Sequence, residues 1–387
     1  MPSTTLKNLL YRAALPFCAP SPYKLMRHET IGQELAHLPY YEHLMVRHHV
    51  LGASLLLDDG EHRSQTFTTV TVPMHVSREE TLFRVASITK MATALATLSC
   101  AADGLFTLDT PVRELLPDTP RADALDGVTV RHLLSHTSGL QDLPAMDAAL
   151  REGRSYDDVL AEPAVRCAKP GGKLIYSNFG FGLLGCLLEN VTGQSVECLF
   201  RERFFTPLDM RATLDASSLD ESLIMPISRV LPYEKGQDVT ITPLGRKPLG
   251  APDPLRHFGH TAGAMYTDAP SLAKLLMLIH TRGLHEGKRL LPEGLMNEMT
   301  RMQASTPTRA YGLGLVLLDR PKLWPRRLLG HQGFAYGCVD GAFIEEETGR
   351  IVIFLNGGAS EARRGKLGLV NQDVLRWALT KEMPAWK

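Results

Sequence analysis

The segment Phe83-Arg84-Val85-Ala86-Ser87-Ile88-Thr89-Lys90 joins a strand-like stretch to an apolar helix. Apolar residues then recur at helical spacing as far as Asp103-Gly104, so a helix is predicted to begin near Ser87. Residues three apart on a helix share a face, which lets the amine of Lys90 reach the hydroxyl of Ser87. A lysine held neutral by its surroundings can accept the serine proton. The segment therefore predicts a nucleophilic serine.

The same spacing occurs at Ser21/Lys24 and Ser271/Lys274, so Ser-x-x-Lys alone has little weight. Ser21 lies in a proline-rich segment that is not expected to be helical. Ser271 follows Pro270 and is predicted to cap the next helix. Only Ser87 follows a strand-like approach and opens an apolar helix, which makes it the candidate nucleophile.

Strand patterns occur near both ends of the chain, and helical patterns lie between them. Strands are predicted over residues 50–57, 65–72, 311–318, 339–344 and 351–355, and helices over residues 271–280 and 366–379. This order predicts an α/β (α+β) fold, in which an antiparallel sheet is flanked by helices and carries an inserted helical subdomain. The expected division of this single catalytic domain, residues 1–387, is an α/β subdomain at about 40–86 and 260–387 and a helical subdomain at about 87–259.

Composition excludes several classes of partner. Lys plus Arg and Asp plus Glu number 42 each, so no overall charge favours nucleic acid. The longest stretch without charge or strong polarity, residues 179–188, is far shorter than the roughly 20 residues of a membrane span. Six scattered cysteines and an N-terminus without a convincing signal peptide predict a cytoplasmic protein.

Several further segments follow the nucleophile segment in a characteristic order over roughly residues 50–360. They are Leu105-Phe106-Thr107-Leu108-Asp109-Thr110-Pro111-Val112, Leu133-Leu134-Ser135-His136-Thr137-Ser138-Gly139-Leu140, Tyr176-Ser177-Asn178, Gly263-Ala264-Met265-Tyr266-Thr267-Asp268 and Tyr311-Gly312-Leu313-Gly314. Together they resemble the family of class C β-lactamases, low-molecular-weight penicillin-binding proteins and related esterases.

The resemblance implies roles for the residues that match the family's motifs. Ser87 is the implied nucleophile, and Lys90 and Tyr176 are its proton-handling partners at the junction of the two subdomains. A lysine cation near Tyr176 would lower the pKa of the phenol. Asn178 can offer both a donor and an acceptor to a substrate amide. How Lys90 and Tyr176 share the role of base is left open.

The family's third motif, usually Lys-Thr-Gly, is absent, and its match is Gly330-His331-Gln332-Gly333. The resemblance implies a catalytic role for His331 and substrate contacts at Gly333 and Phe334, with the backbone N–H groups of Ser87 and Phe334 as an oxyanion hole. Gln332 lacks the hydroxyl that Thr or Ser supplies to a substrate carboxylate. This departure weakens the case for an efficient β-lactamase and favours an esterase, amidase or peptidase.

Two other patterns have competing interpretations. Gly180-x-Gly182-x-x-Gly185 fits the dinucleotide-binding fingerprint but follows no convincing strand, so close helix packing is predicted instead. His132 and His136 have the spacing of a metal pair but lack an evident third ligand, and a structural role is predicted for His136. No cofactor and no metal are expected.

The leading hypothesis is a serine hydrolase that cleaves an ester or amide bond of a small molecule or short peptide through an acyl-enzyme on Ser87, with weak β-lactam reactivity possible in principle. The alternative is a catalytically slow penicillin- or peptide-binding protein. A third hypothesis is a metal-dependent hydrolase that uses His132 and His136. The sequence leaves open the acyl group, the leaving group and the oligomeric state.

Overall fold

The computed structural model describes residues 4–18, 26–35, 37–71, 74–231, 238–320, 323–365 and 367–380. Its α-helices are α1 (Thr4–Cys18), α2 (Leu38–Arg47), α3 (Thr89–Ala102), α4 (Val130–Leu134), α5 (Pro144–Glu152), α6 (Tyr156–Leu160), α7 (Asn178–Thr192), α8 (Val196–Phe200), α9 (His260–Gly263), α10 (Ala269–His280), α11 (Glu293–Thr300) and α12 (Leu369–Thr380). Among these described helices, none combines the length and the apolar character needed to cross a membrane.

The strands of the described residues form one large sheet and three small ones. They are β1 (Met26–Gly32), β2 (Ala53–Asp58), β3 (Arg63–Thr71), β4 (Met74–His75), β5 (Phe83–Arg84), β6 (Ala212–Thr213), β7 (Tyr266–Thr267), β8 (Leu284–His285), β9 (Lys288–Arg289), β10 (Ala304–Thr306), β11 (Arg309–Tyr311), β12 (Val316–Leu318), β13 (Leu328–Ala335), β14 (Cys338–Glu345), β15 (Ile351–Asn356), β16 (Arg363–Arg364) and β17 (Leu367–Gly368).

Within the described ranges, the large sheet has ten strands, in the order β1-β3-β2-β15-β14-β13-β12-β11-β10 with β4 paired to β3. Its neighbouring strands are antiparallel throughout. The sheet therefore combines strands from both ends of the chain, and the predicted fold class is confirmed. The predicted β2–β3 pair and the β14–β15 hairpin are confirmed as well.

Apolar residues on both sides of each central strand explain why this sheet lies inside the protein. Leu55 and Leu57 of β2 pack in one core with residues of α2 and α12, whereas Leu56 packs in the other core with residues of α3 and α10. Because side chains alternate between the faces of a strand, a continuous apolar run buries both faces. The helices flank the sheet on both sides for this reason.

The start of α3 lies against β13. This contact brings the predicted site residues at the start of α3 close to those on β13. Gly333 of β13 permits the close approach, because a Cβ atom there would lie 2.4 Å from the carbonyl oxygen of Val85. Any side chain at this position would push the strand away from the turn that carries Ser87. The subdomain boundaries near residues 86 and 260 stay a prediction.

The prediction of one strand over residues 311–318 is wrong. The chain pairs as β11 and β12, with Gly312-Leu313-Gly314 between them. Gly314 has a φ of 66°, and a Cβ atom there would lie 2.8 Å from the carbonyl oxygen of Lys90. The strand is interrupted because the backbone turns in close contact with α3.

The prediction that Ser271 caps a helix is also wrong, although the helix itself is present as α10. Asp268 is the N-cap, and its Oδ1 accepts from the backbone N–H of Ser271 at 2.8 Å. The hydroxyl of Ser271 instead accepts from the backbone N–H of Arg211 at 2.8 Å. Aspartate is among the preferred capping residues, and it reaches the free N–H groups first.

Candidate active site

A tight turn presents Ser87 to a cleft of about 460 Å³. Ser87 is the middle residue of a 3₁₀ turn, Ala86–Ile88, that leads directly into α3. Ala86 has a φ of 44°, in the left-handed region that residues other than glycine rarely adopt. The N–H of Val85 donates to the carbonyl of Met265 at 3.0 Å and fixes the chain just before the turn. Strain of this kind is common where a fold orients a reactive side chain.

Lys90 is fully buried one helical turn after Ser87. Its Nζ lies 3.1 Å from Ser87 Oγ, and it donates to Asn178 Oδ1 at 2.8 Å and to the carbonyl of Ala262 at 2.5 Å. Burial lowers the pKa of Lys90 to about 7, although the charge of Asp142 opposes the shift. A large fraction of this amine is therefore neutral near neutral pH.

The neutral form of Lys90 has the hydrogen-bonding pattern that a base for Ser87 requires. A neutral amine has two N–H groups and one lone pair. Asn178 Oδ1 and the carbonyl of Ala262 can only accept, so they take the two N–H groups. The lone pair then faces Ser87 Oγ, and the serine hydroxyl can donate to it.

The phenol of Tyr176 lies on the other side of the nucleophile. It donates to Ser87 Oγ at 2.8 Å, although the two residues are 89 positions apart. Burial raises the pKa of Tyr176, and the nearby Tyr311 raises it further. The expectation that a lysine cation lowers this pKa is therefore wrong, because loss of solvent around the phenolate has the larger effect.

Asp142 is the residue that sequence reasoning missed. Its Oδ1 accepts from the Phe179 N–H at 2.9 Å and from the Ser177 hydroxyl at 3.2 Å, and its Oδ2 accepts from Asn178 Nδ2 at 2.7 Å. One carboxylate thus holds three successive residues that follow Tyr176. In the sequence, Asp142 lies two residues after the Ser135–Leu140 block. This position alone does not indicate its role.

His136 supports the same loop rather than forming a metal pair with His132. Its Nδ1 accepts from the Ser177 N–H at 3.2 Å, and its ring centroid lies 4.3 Å from that of Tyr176. The Nδ1 of His132 accepts from the Thr129 N–H at 3.2 Å. Within the described ranges, no group of three or more His, Cys, Asp or Glu residues is arranged to hold a metal ion.

His331 lies on β13 and lines the cleft. Its Nδ1 lies 2.7 Å from the carbonyl of Gln332, which can only accept, so Nδ1 carries the proton and Nε2 carries the lone pair. Burial lowers the pKa of His331 to about 3, and the charge of Lys90 lowers it further. The histidine predicted to stand at the position of the family's usual lysine is therefore a neutral acceptor at physiological pH.

The expected substrate-binding residues differ in how the structure uses them. Asn178 and Phe334 line the cleft, but the amide of Asn178 already bonds to Lys90 and Asp142. Gly333 allows β13 to approach the nucleophile turn. Their contacts with a substrate, and the oxyanion hole at the N–H groups of Ser87 and Phe334, stay predictions.

The glycine pattern at residues 180–185 lies inside α7 and serves helix packing, as predicted. A Cβ atom at Gly182 would lie 1.8 Å from the carbonyl oxygen of Phe258, and one at Gly185 would lie 2.6 Å from Thr261 Oγ1. This close contact joins α7 to the segment that carries Ala262, whose carbonyl accepts from Lys90. The segment Ser21/Lys24 lies outside the described residues.

The fold and the cluster of serine, lysine and tyrosine indicate a serine hydrolase. Comparison with known proteins agrees with this class. The family model named Beta-lactamase matches residues 40–374, which is most of the chain. The chain therefore belongs to the Beta-lactamase family.

Individual relatives carry different names. Esterase EstB of Burkholderia gladioli is 30% identical over 342 residues, which cover 77% of this chain and 83% of that protein. Penicillin-binding protein 4 of Amycolatopsis lactamdurans is 33% identical over 192 residues, which cover 45% of this chain and 47% of that protein. The similarity to this penicillin-binding protein thus extends over about half of its length.

Solved structures share the fold. A D-stereospecific amidohydrolase from Streptomyces sp. superimposes with a TM-score of 0.63 at 25% identity and covers 85% of this chain and 94% of its own. An octameric penicillin-binding protein homologue from Pyrococcus abyssi gives a TM-score of 0.66 at 23% identity, with coverage of 90% and 78%. The second likeness concerns the fold alone.

Proposed function

We propose that this protein hydrolyses an ester or amide bond of a small molecule or short peptide through an acyl-enzyme on Ser87. The observation that carries the proposal is the position of Ser87 Oγ, 3.1 Å from Lys90 Nζ and 2.8 Å from the Tyr176 hydroxyl at the cleft. An amine with a pKa near neutrality on one side and a protonated phenol on the other supply a base and an acid.

In the proposed first step, Ser87 Oγ forms a bond to the substrate carbonyl carbon and its proton passes to Lys90 Nζ. The bond from that carbon to the leaving oxygen or nitrogen then breaks. Tyr176 gives its proton to the leaving group and recovers one from Lys90. Water attacks the acyl-enzyme with the proton transfers reversed, which restores Ser87. Neutral His331 can only accept a hydrogen bond at Nε2, so it supports binding or orientation rather than charge stabilisation.

The test is to trap the acyl-enzyme. Purified protein is mixed with 4-nitrophenyl butyrate, quenched at short times, and examined by intact-mass and peptide mass spectrometry. We expect a butyryl group on the peptide that contains Ser87, and its absence in a folded Ser87→Ala variant. Butyrylation of another residue, together with unchanged turnover in the variant, would overturn the proposal.

The slow binding-protein alternative is separated by the same reaction followed over time. The hydrolase releases 4-nitrophenol continuously, whereas a slow binding protein releases about one equivalent and then stops because the acyl-enzyme persists. The names of the esterase and amidohydrolase relatives favour turnover. The name of the penicillin-binding relative is consistent with the slow binding-protein alternative, and this test distinguishes the two.

We further propose a cytoplasmic location. In the described residues, all six cysteines are free thiols. Three of them, Cys100, Cys186 and Cys338, are buried and lie far apart in the sequence. Thiols of this kind are typical of proteins kept under reducing conditions. Cell fractionation tests the proposal, and recovery of the protein only outside the cytoplasm would contradict it.

A further inference from the structure

The three most exposed large apolar side chains of the described residues all lie on α1. Phe17 is 88% exposed, Leu9 is 62% exposed and Leu10 is 59% exposed. Single apolar residues are common on protein surfaces, whereas a contiguous apolar patch marks a site of interaction. The solvent side of α1 is therefore a candidate interaction surface.

These side chains share one face of the helix. Leu9, Ala13 and Phe17 follow one another at intervals of four residues, and Leu10 lies seven residues before Phe17. Residues four and seven apart lie on the same side of an α-helix, so the four side chains form a strip about two turns long. Ala13 is exposed as well. We call these four residues the apolar face of α1.

The opposite face holds α1 against the rest of the protein. Leu15 is buried and packs with Leu51 and Val230. Tyr11 packs against the same cluster, and its phenol oxygen accepts from the backbone N–H of Glu361 at 3.0 Å. Tyr11 and Leu15 are four residues apart, so they share the side of the helix that faces away from the apolar face. The helix is thus held in an orientation that presents the apolar face to solvent.

The segment that contains α1 is positively charged. No Asp or Glu occurs in residues 1–28, whereas α1 itself contains Lys7 and Arg12. Arg12 is exposed, and Glu361 contacts the helix at Tyr11 on the anchored side. The whole chain has equal numbers of acidic and basic residues, so this positive charge is local. The apolar face therefore belongs to a basic segment.

An anionic lipid surface matches this combination of apolar face and basic charge. Helices that lie in a membrane interface place Leu and Phe among the lipids and use Lys or Arg to attract acidic head groups. A second copy of the chain would bring the same basic segment to a symmetric interface, where like charges repel. With 15 residues, α1 is shorter than the roughly 20 residues of a membrane span, so it can lie on a membrane but not cross it.

We infer that α1 binds the surface of a membrane that contains anionic lipids, with Leu9, Leu10 and Phe17 inserted below the head groups. This inference goes beyond the hydrolysis proposed at Ser87 and does not depend on it. It is compatible with the proposed cytoplasmic location, because the membrane leaflet that faces the cytoplasm carries anionic lipids. The apolar face and the basic segment act together, since burial of apolar area and attraction to acidic head groups both strengthen interfacial binding.

The experiment measures binding to vesicles by co-sedimentation, with a lipid-free sample to correct for aggregation. The purified full-length protein is mixed with vesicles of phosphatidylcholine alone, or of two parts phosphatidylcholine and one part phosphatidylglycerol. We expect the partition coefficient to be at least about 10-fold higher for the vesicles that contain phosphatidylglycerol. Added salt should reduce this difference, because ions screen the attraction between the charges.

A tryptophan at position 17 reports insertion directly. The emission of the Phe17→Trp variant should shift to shorter wavelength with the anionic vesicles, beyond any change in the wild-type protein. Lipids brominated on their acyl chains should quench this emission, because an inserted side chain lies next to those chains. Binding without a shift or quenching would contradict the insertion of the apolar face.

Substitutions assign the binding to α1. The Leu9→Ser/Phe17→Ser variant should lower the partition coefficient by about 10- to 100-fold, because two apolar side chains are lost from the contact. Arg12→Gln should lower it about fivefold, the effect of one basic residue near an anionic surface. The matched controls are Met302→Ser, at an apolar side chain that is 57% exposed in another segment, and Arg154→Gln, at an exposed ion pair. Both controls should bind as the wild-type protein does, and circular dichroism checks that every variant folds.

Equal binding to the two kinds of vesicle would overturn the inference, and so would binding that the Leu9→Ser/Phe17→Ser variant retains. Absence of binding to anionic vesicles, together with a dimer that the same variant dissociates in sedimentation velocity, would overturn it as well and assign the apolar face to a second copy of the chain. The acyl-enzyme experiment on Ser87 tests the proposed hydrolysis separately, so the two proposals fail independently.

Discussion

Two Ser-x-x-Lys pairs lie at the beginnings of two helices in this protein, and only one has the geometry of an active site. At α3, Lys90 is fully buried and its amine lies 3.1 Å from Ser87 Oγ. At α10, the amine of Lys274 donates to Asp209 Oδ2 at 2.9 Å. The hydroxyl of Ser271 accepts a backbone N–H and supports the fold.

The difference lies in what surrounds each lysine rather than in the spacing. Lys274 is partly exposed and its amine lies 2.9 Å from the Asp209 carboxylate. Lys90 is enclosed by α7 and α9, and burial lowers its pKa to about 7. The four-residue spacing is the same in both places, and only at α3 do distant segments remove water from the lysine.

The largest expected effect is on turnover by the two serine variants. Ser87→Ala should lower kcat/KM for a 4-nitrophenyl ester by about 10⁴-fold or more, because the nucleophile is lost. Ser271→Ala should retain wild-type kcat/KM, since its hydroxyl lies outside the cleft. Steady-state kinetics on folded proteins measures both. Equal loss of kcat/KM in the two variants would contradict the assignment of Ser87, rather than Ser271, as the nucleophile.

Removal of the two amines should give the next largest difference. Lys90→Gln is expected to lower kcat/KM by about 10²- to 10⁴-fold, which is the usual contribution of a positioned proton acceptor. Lys274→Gln removes a charge of the same type at an exposed site and should leave kcat/KM unchanged. A Lys90→Gln variant with wild-type activity would exclude Lys90 as the base and direct attention to Tyr176.

The two serine variants should affect stability in the opposite order from activity, with the larger loss in Ser271→Ala. Ser271→Ala leaves the N–H of Arg211 without its acceptor in a partly buried position, so the free energy of unfolding should fall by about 1–3 kcal/mol. Ser87→Ala is expected to cause a smaller loss, because Ser87 adjoins a cleft that water can enter. Urea denaturation compares the two variants. A larger destabilisation by Ser87→Ala would contradict this expectation.

The smallest expected effect is a shift in pH dependence. Lys90 is a base only when neutral, so kcat/KM should rise with pH and reach half its plateau near pH 7, the pKa to which burial lowers it. The Asp142 carboxylate stabilises the charged amine and opposes that lowering. Asp142→Asn should therefore lower the Lys90 pKa further and move the midpoint to lower pH.

The control for this shift is Asp209→Asn, which removes the carboxylate beside Lys274 and should leave the midpoint of the profile in place. The comparison between the two lysines fails if Asp209→Asn shifts the midpoint as much as Asp142→Asn. A midpoint that moves to higher pH in Asp142→Asn would reverse the sign assigned to its charge.

Sequence patterns alone determined the main features of the fold and the candidate residues of the site. Alternating and continuous apolar runs predicted the β2–β3 pair, the β14–β15 hairpin and the helix after Ser87. The prediction is possible because the spacing of apolar residues within each segment indicates which of its faces is buried. The order of motifs identified Ser87, Lys90 and Tyr176. These features depend on residues that are close in sequence or on segments with a recognisable order.

Tertiary structure alone decided the chemistry of those residues. The pKa of Tyr176 rises rather than falls, and Asp142 holds the Tyr176 loop. Each depends on burial and on distances between segments far apart in the chain. Desolvation and electrostatic interactions act through space, and so a linear pattern contains the residues but not their protonation states or their partners.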